Sequence, residues 1–168
     1  MSSIDITKES SHTEHRFILQ VVQPGLAGLM DGSVSTLAPI FATAFATHDS
    51  FTTFIVGFAS AVGAGISMAF SEGLSDDGAL TGRGHPFLRS IVTGGMTLIG
   101  GIGHTLPFLI PNMSVALMIS YIVVGVELIT IALIRNRYFK TPHFKSIIQV
   151  VFGGALVFIA GILIGKMR

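Results

Sequence analysis

Three carboxylates in this chain stand within or at the edge of long apolar stretches: Asp31, Glu72 and Glu127. At bilayer depth an ionisable group costs at least about 2.5–3.5 kcal/mol, so it normally faces a cavity, a partner or an ion. Asp31, in Met30-Asp31-Gly32-Ser33, has no basic residue within a helical turn or two. The other ionisable side chain at comparable depth is His104. A path for cations is the economical reading. The plainer one is that Asp31 caps a helix restarted at Gly32, its oxygens on freed backbone N–H groups.

Met68, Glu72 and Asp76 are spaced i, i+4 and i+8 and share one helix face. A thioether one turn from a carboxylate is a mixed soft and hard donor set. It suits a first-row ion such as Fe²⁺ better than Ca²⁺ or Mg²⁺, which take oxygen. A methionine in an apolar helix is otherwise core filler, and Glu72 otherwise reaches for the interface. Asp76 and Asp77 read as solvated. Glu127 is a candidate metal ligand, a partner for a basic residue such as Arg135, or a proton acceptor. His104 reads as a hydrogen-bonded histidine rather than a ligand. Gly82-Arg83-Gly84-His85 is too short to mark a phosphate site, and there is no Walker A, EF-hand or G-x-S-x-G pattern.

These residues must be positioned by helices in lipid. Of 168 residues, 50% are hydrophobic and 11% charged, where soluble domains have about 25% charged. A disordered chain, a nucleic-acid binder and a soluble enzyme are excluded. Ser50 to Ser71, Ser90 to Val126 and Ser146 to Gly165 carry no Asp, Glu, Lys or Arg, and a span takes roughly 20 helical residues. With no cysteine there is neither a disulfide nor a thiolate site.

The expected fold is an all-α integral membrane protein with five transmembrane helices. They lie within Phe17 to Thr47, with entry at Pro24-Gly25 and a kink at Pro39, then about Thr52 to Leu74, and Pro86 to around Pro107–Pro111. The last two run from Asn112 to about Ile134 and from about Phe144 to Gly165. Residues 1–16 read as a cytoplasmic tail without signal-peptide character, and residues 17–168 as one five-helix domain. A cytoplasmic N-terminus puts Lys8, Arg16, Arg83, Arg89, Arg135, Arg137, Lys140 and Lys145 inside, and only Lys166 and Arg168 outside. Small residues (Gly57, Ala61, Gly65; Gly161, Gly165) mark close helix packing, within or between protomers.

Gly28-Leu29-Met30-Asp31-Gly32-Ser33 followed by Gly63-Ala64-Gly65-Ile66-Ser67-Met68 resembles the vacuolar iron transporter family. The membrane half of the bacterial erythrin–vacuolar iron transport proteins, or membrane-bound ferritins, is more similar still. That likeness extends from about Arg16 through SEGLSDDG, GRGHPFLR, HTLPFLIPN, RNRYF and FGGALVFIAGILIG. It implies a homodimer in a bacterial inner membrane that exports Fe²⁺, and often Mn²⁺, in exchange for protons, with no resident cofactor and no enzymatic activity. Asp31 and Met68 of both copies would face a path near the two-fold axis, with Glu72 extending the ligands toward the cytoplasm.

The chain departs from that pattern in three places. Eukaryotic members insert a metal-collecting domain where this chain has only Ser75 to Phe87, and carry a glutamate where it has Ser60. The membrane-bound ferritins carry a diiron domain before the membrane part; here the tail offers His12, Glu14 and His15 but no Glu-x-x-His pair. Ferroxidase activity is not expected, and ion delivery falls to the short loop or to a separate ferritin-like partner. The alternative is a non-transporting membrane subunit that docks a ferritin-like or peroxidase partner. A multidrug exporter would want an aromatic-lined cavity, and the chain has no Trp and two Tyr.

Overall fold

A computed structural model describes residues 13–79 and 81–167, which contain helices and no strand. The first helical rod runs Thr13–Thr47. It therefore takes in residues 13–16 of the expected tail, while Lys8, His12 and Arg168 lie outside the described residues. The rod has two faults, each just before a proline. A π turn, Ile18–Val22, precedes Pro24, and the Gln23 N–H reaches back to the Ile18 carbonyl. Proline lacks an N–H and its ring crowds the carbonyl four residues earlier. The wider turn makes that room. Pro24-Gly25 is thus not the entry to the helix, as the sequence suggested, but lies inside it.

Helix α1, Gln23–Ser35, ends at the second fault, and α2, Leu37–Thr47, resumes beyond Thr36. Pro39 crowds the Ser35 carbonyl, which puts the break one turn upstream of the proline. The Thr36 hydroxyl donates to the Gly32 carbonyl at 2.8 Å, and the Ile40 N–H reaches the Thr36 carbonyl at 3.2 Å.

Helix α3, Ser50–Ser75, starts at Asp49, whose carboxylate accepts from the Thr52 N–H at 2.7 Å. Helix α4, Pro86–Gly103, opens with Pro86 in its first turn, and His85 Nδ1 accepts from the Phe87 N–H at 3.3 Å. A 3₁₀ turn, Leu106–Leu109, leads to Asn112, which caps α5, Met113–Phe139, by accepting from the Val115 N–H at 3.1 Å. Lys140, at φ 51°, ends α5, and α6 runs His143–Gly165.

Among the described residues four helices are long and apolar enough to cross a membrane: Thr13–Thr47, Ser50–Ser75, Met113–Phe139 and Ile147–Gly165. The expected fifth, α4, is not among them. It packs mainly between α1 and α3, and Arg89, Thr93 and Thr97 are fully buried there. Its face toward α1 and α3 carries these polar groups and glycine, which lowers its hydropathy, while Phe87, Ile91 and Ile99 on the other face stay exposed. Elsewhere the molecule is inside out relative to a soluble protein. Ile66 and Phe70 of α3, Ile122 and Ile129 of α5, and Leu156 and Leu163 of α6 are exposed. A continuous apolar exterior of this kind is what lipid covers.

Close backbone approach joins the rods. A Cβ on Gly28 or Gly32 of α1 would collide with the Thr93 or Thr97 carbonyl of α4, and one on Gly94 would meet Gly65 O of α3 at 2.7 Å. Gly57 lies against Ile40 and Thr105, and Ala61 against Gly101. Gly161 and Gly165 of α6 lie against Ala38 and Ala42 of α2. Both stripes expected from the sequence pack within the protomer. Beside them Phe41 stacks on Tyr121 with centroids 5.3 Å apart and meets Phe158 edge-on at 4.8 Å.

Candidate functional site

Gly28 and Gly32 press one face of α1 onto α4, so its opposite face is turned away. Ala27, Asp31 and Ser35 recur there at four-residue spacing, beside Met30 and Val34. This face lines an open groove of about 610 Å³ whose other walls are Met68 of α3, Ile131 of α5, and Gln149 and Gly153 of α6. Asp31 and Met68, 37 positions apart by number (68 − 31), therefore meet on one surface. Met30 brings a second thioether that the sequence reading did not single out.

Helix α1 runs unbroken through Asp31 to Ser35. The capping alternative for Asp31 is therefore excluded: Gly32 starts no new helix, and the carboxylate holds no backbone N–H. Among the described residues Asp31 makes no hydrogen bond and no ion pair. Ser60, at the position where the resemblance would put a glutamate, donates to its own Val56 carbonyl at 2.8 Å.

Glu72 is different, and the expectation that it lacks a cationic neighbour is corrected. Its Oε1 accepts from Arg89 Nε at 2.8 Å and lies 2.7 Å from Arg83 Nη2. Arg89 is fully buried, and its remaining nitrogens are also engaged. Nη1 donates to Gly84 O at 2.8 Å, and Nη2 donates at 3.0 Å to both Asp76 O and Asp76 Oδ2. Two carboxylates face two guanidiniums, so the cluster is neutral. It fastens the loop between α3 and α4 to both helices, and Gly78, Gly82 and Gly84 supply the positive φ angles the loop needs. The SEGLSDDG and GRGHPFLR motifs build this clasp. Asp76, expected to be solvated, is half of it. The Thr81 hydroxyl first, then the Gly78 N–H and the two arginines, hold its carboxyl below the usual aspartate range against some desolvation.

Glu127 is also engaged. Its Oε2 lies 3.0 Å from His104 Nδ1, and His104 Nε2 lies 2.8 Å from the Thr36 hydroxyl. His104 is fully buried and hydrogen-bonded, as its setting in the sequence suggested. Glu127 does not line the Asp31 groove. Arg135, its expected basic neighbour, instead donates to Gln149 at 3.0 Å.

Among the described residues no group of three or more His, Cys, Asp or Glu is placed to hold a metal ion. What one protomer offers is an unpaired carboxylate beside thioethers on an open wall, in an all-helical scaffold with an apolar exterior. Those are the features of a helical membrane protein. The chain matches the VIT family over residues 74–166, more than half its length, and it belongs to that family of vacuolar iron transporters. Membership associates it with membrane transport of metal ions. The matched stretch holds most of the clasp loop and α4 to α6, while Asp31 and Met68 lie before it. No curated protein and no solved structure matches the chain.

Arg89 and the His104–Glu127 pair were missed as site features. Arg89 stands 17 positions after Glu72 (89 − 72), and only the return of the chain through the loop brings them together. Arg83 and Arg89 had been read for orientation alone.

Proposed function

We propose that the protein exports a divalent transition metal, Fe²⁺ or Mn²⁺, from the cytoplasm in exchange for protons, working as a homodimer. The single observation that carries this reading is Asp31, uncompensated on the groove wall beside Met68. A bare carboxylate at depth is costly, and a divalent cation would neutralise two of them. Two-fold symmetry would double Asp31 and Met68 to two carboxylates and two thioethers, four donors where one copy offers two. Thioether sulfur favours first-row ions over Mg²⁺ or Ca²⁺. Protons compete with metal for the same oxygens, which gives exchange its chemical basis.

Glu72 and Glu127 leave the proposed ligand set, since each is already matched by a cationic or protonatable neighbour. Glu72 serves instead as an anchor of the clasp beside the path. In this reading α4 is the fifth span, tolerated in the bilayer because α1 and α3 cover its polar face. Alternating rod directions gather Arg16, Arg83, Arg89, Arg135, Arg137 and Lys140 at one end and leave Lys166 at the other. That imbalance supports a cytoplasmic arginine-rich end, and the likeness to bacterial membrane-bound ferritins supports a bacterial inner membrane. Ion delivery by a separate ferritin-like protein fits the short loop between α3 and α4.

Purified protein in liposomes tests the proposal. Fe²⁺ flux should acidify the side from which Fe²⁺ departs, and Asp31→Asn should abolish that flux. Vesicles with Asp31→Asn that move Fe²⁺ as fast as wild type would overturn the site.

A further inference from the structure

The break in the first rod is held by a buried polar chain whose protons can be counted. Thr36 Oγ1 lies 2.8 Å from the Gly32 carbonyl oxygen. A carbonyl donates nothing, so the single hydroxyl proton lies in that bond. The same Oγ1 lies 2.8 Å from His104 Nε2, which must then supply the proton of the second contact. At its other end, His104 Nδ1 lies 3.0 Å from Glu127 Oε2. A neutral imidazole protonated on Nε2 and an ionised carboxylate would set two lone pairs against each other there. One further proton turns that contact into a hydrogen bond. It resides on Nδ1, giving imidazolium and carboxylate, or on Oε2, giving imidazole and carboxylic acid.

We propose that His104 and Glu127 form a buried site that binds one proton and uses it to clamp the break at Thr36 to α4 and α5. The His104 side chain is fully buried and that of Glu127 is 13% exposed, which leaves the carboxyl as the edge through which the proton exchanges with water. Ser120 of α5 donates to the His104 carbonyl at 2.8 Å and fixes the ring's backbone. Release sends the proton to water and leaves neutral imidazole facing carboxylate, a repulsive contact that frees α5 from the break. The other titratable groups on the packed elements are placed elsewhere. Asp31 lines the groove, Glu72 is held by Arg83 and Arg89, Arg135 donates to Gln149, and Tyr121 stacks on Phe41.

The proton count stands on this geometry alone; that the same proton is exchanged for metal rests on the transport reading. Nitrogen-15 spectra of His104 in wild-type protein in lipid nanodiscs, near neutral pH, test the count. Expected is a doubly protonated ring, or an Nε2–H ring together with a carboxylic-acid infrared band that Glu127→Gln removes. A ring protonated on Nδ1 alone, or an Nε2–H ring with no such band, overturns the site. Glu127→Gln keeps a donor to Nδ1 but no titratable proton, so raising the pH should release one proton fewer from it than from wild type. Equal release overturns the proposal, and the wild-type spectrum decides if the variant does not fold. In metal-loaded vesicles Glu127→Gln flux should depend less steeply on the pH gradient than wild-type flux, the share due to proton competition at Asp31 remaining, and unchanged dependence refutes the coupling. A wild-type protein that moves no metal sinks the transport reading and leaves the spectra to judge the proton site.

Discussion

Asp31 and Glu72 are both carboxylates on helices beside long apolar stretches, yet the folded protein treats them in opposite ways. Glu72 meets two guanidiniums within 2.8 Å, one of them fully buried. Asp31 lines an open groove beside Met30 and Met68, with Ser35 and Gln149 also on its walls, and has no partner among the described residues. The difference lies in the neighbours that the chain returns to each. The α3–α4 loop brings Arg83 and Arg89 back to Glu72, whereas α4 meets α1 through Val92, Met96, threonine and glycine, none of them cationic. One acid holds the structure together; the other is unengaged, as the proposed ligand role requires.

Exchanging the fates of the two acids would break this contrast. The largest effect expected is from Asp31→Asn, which should bring Fe²⁺ flux to background while leaving the melting temperature near that of wild type. A strong fall in melting temperature instead would show that Asp31 too is structural. Next, Arg89→Ala should destabilise the protein by roughly 1–3 kcal/mol, because it leaves Glu72 with Arg83 alone and strips Gly84 O and Asp76 of their buried donor. Unfolding in detergent measures this, and the Arg89→Ala/Glu72→Gln double variant should recover part of the loss. Additive losses would deny the pairing.

Smaller effects sharpen the contrast. Met68→Leu should shift Fe²⁺-over-Mg²⁺ preference by about tenfold, the equivalent of about 1.4 kcal/mol. Competition flux reads it, and an unchanged ratio would make Met68 packing alone. Least of all, the clasp should loosen in acid. The Asp76 carboxyl is held below its ordinary value, chiefly by Thr81. Its stabilisation is therefore present above the ordinary aspartate range and lost as pH falls through the lower folded value. Thr81→Ala should move that loss to higher pH, seen as earlier proteolysis of the loop.

Much of the fold was legible in the residues. Pro86 at the start of α4, Asn112 before α5 and the break upstream of Pro39 follow from local backbone chemistry, which a short window contains. Pro24 misled because a π turn lets a helix continue through a proline, and its own neighbours do not announce that. The Gly57-Ala61-Gly65 stripe marked close packing without naming the partner, since any flat surface would satisfy it. At the site, Asp31 and Met68 could be singled out by type, but that one groove joins them could not.

Composition and local pattern alone determined that this chain is helical, made for lipid, and burdened with a carboxylate that has no nearby cation in sequence. Those properties depend on transfer into oil and on hydrogen bonding within a few residues. Which acids find a cation was decided only by the tertiary structure. Charge compensation acts through space over about 3 Å, between groups that the chain separates by 17 positions for Glu72 and Arg89; the same holds for the hydrogen-bonded contact of His104 and Glu127, 23 positions apart.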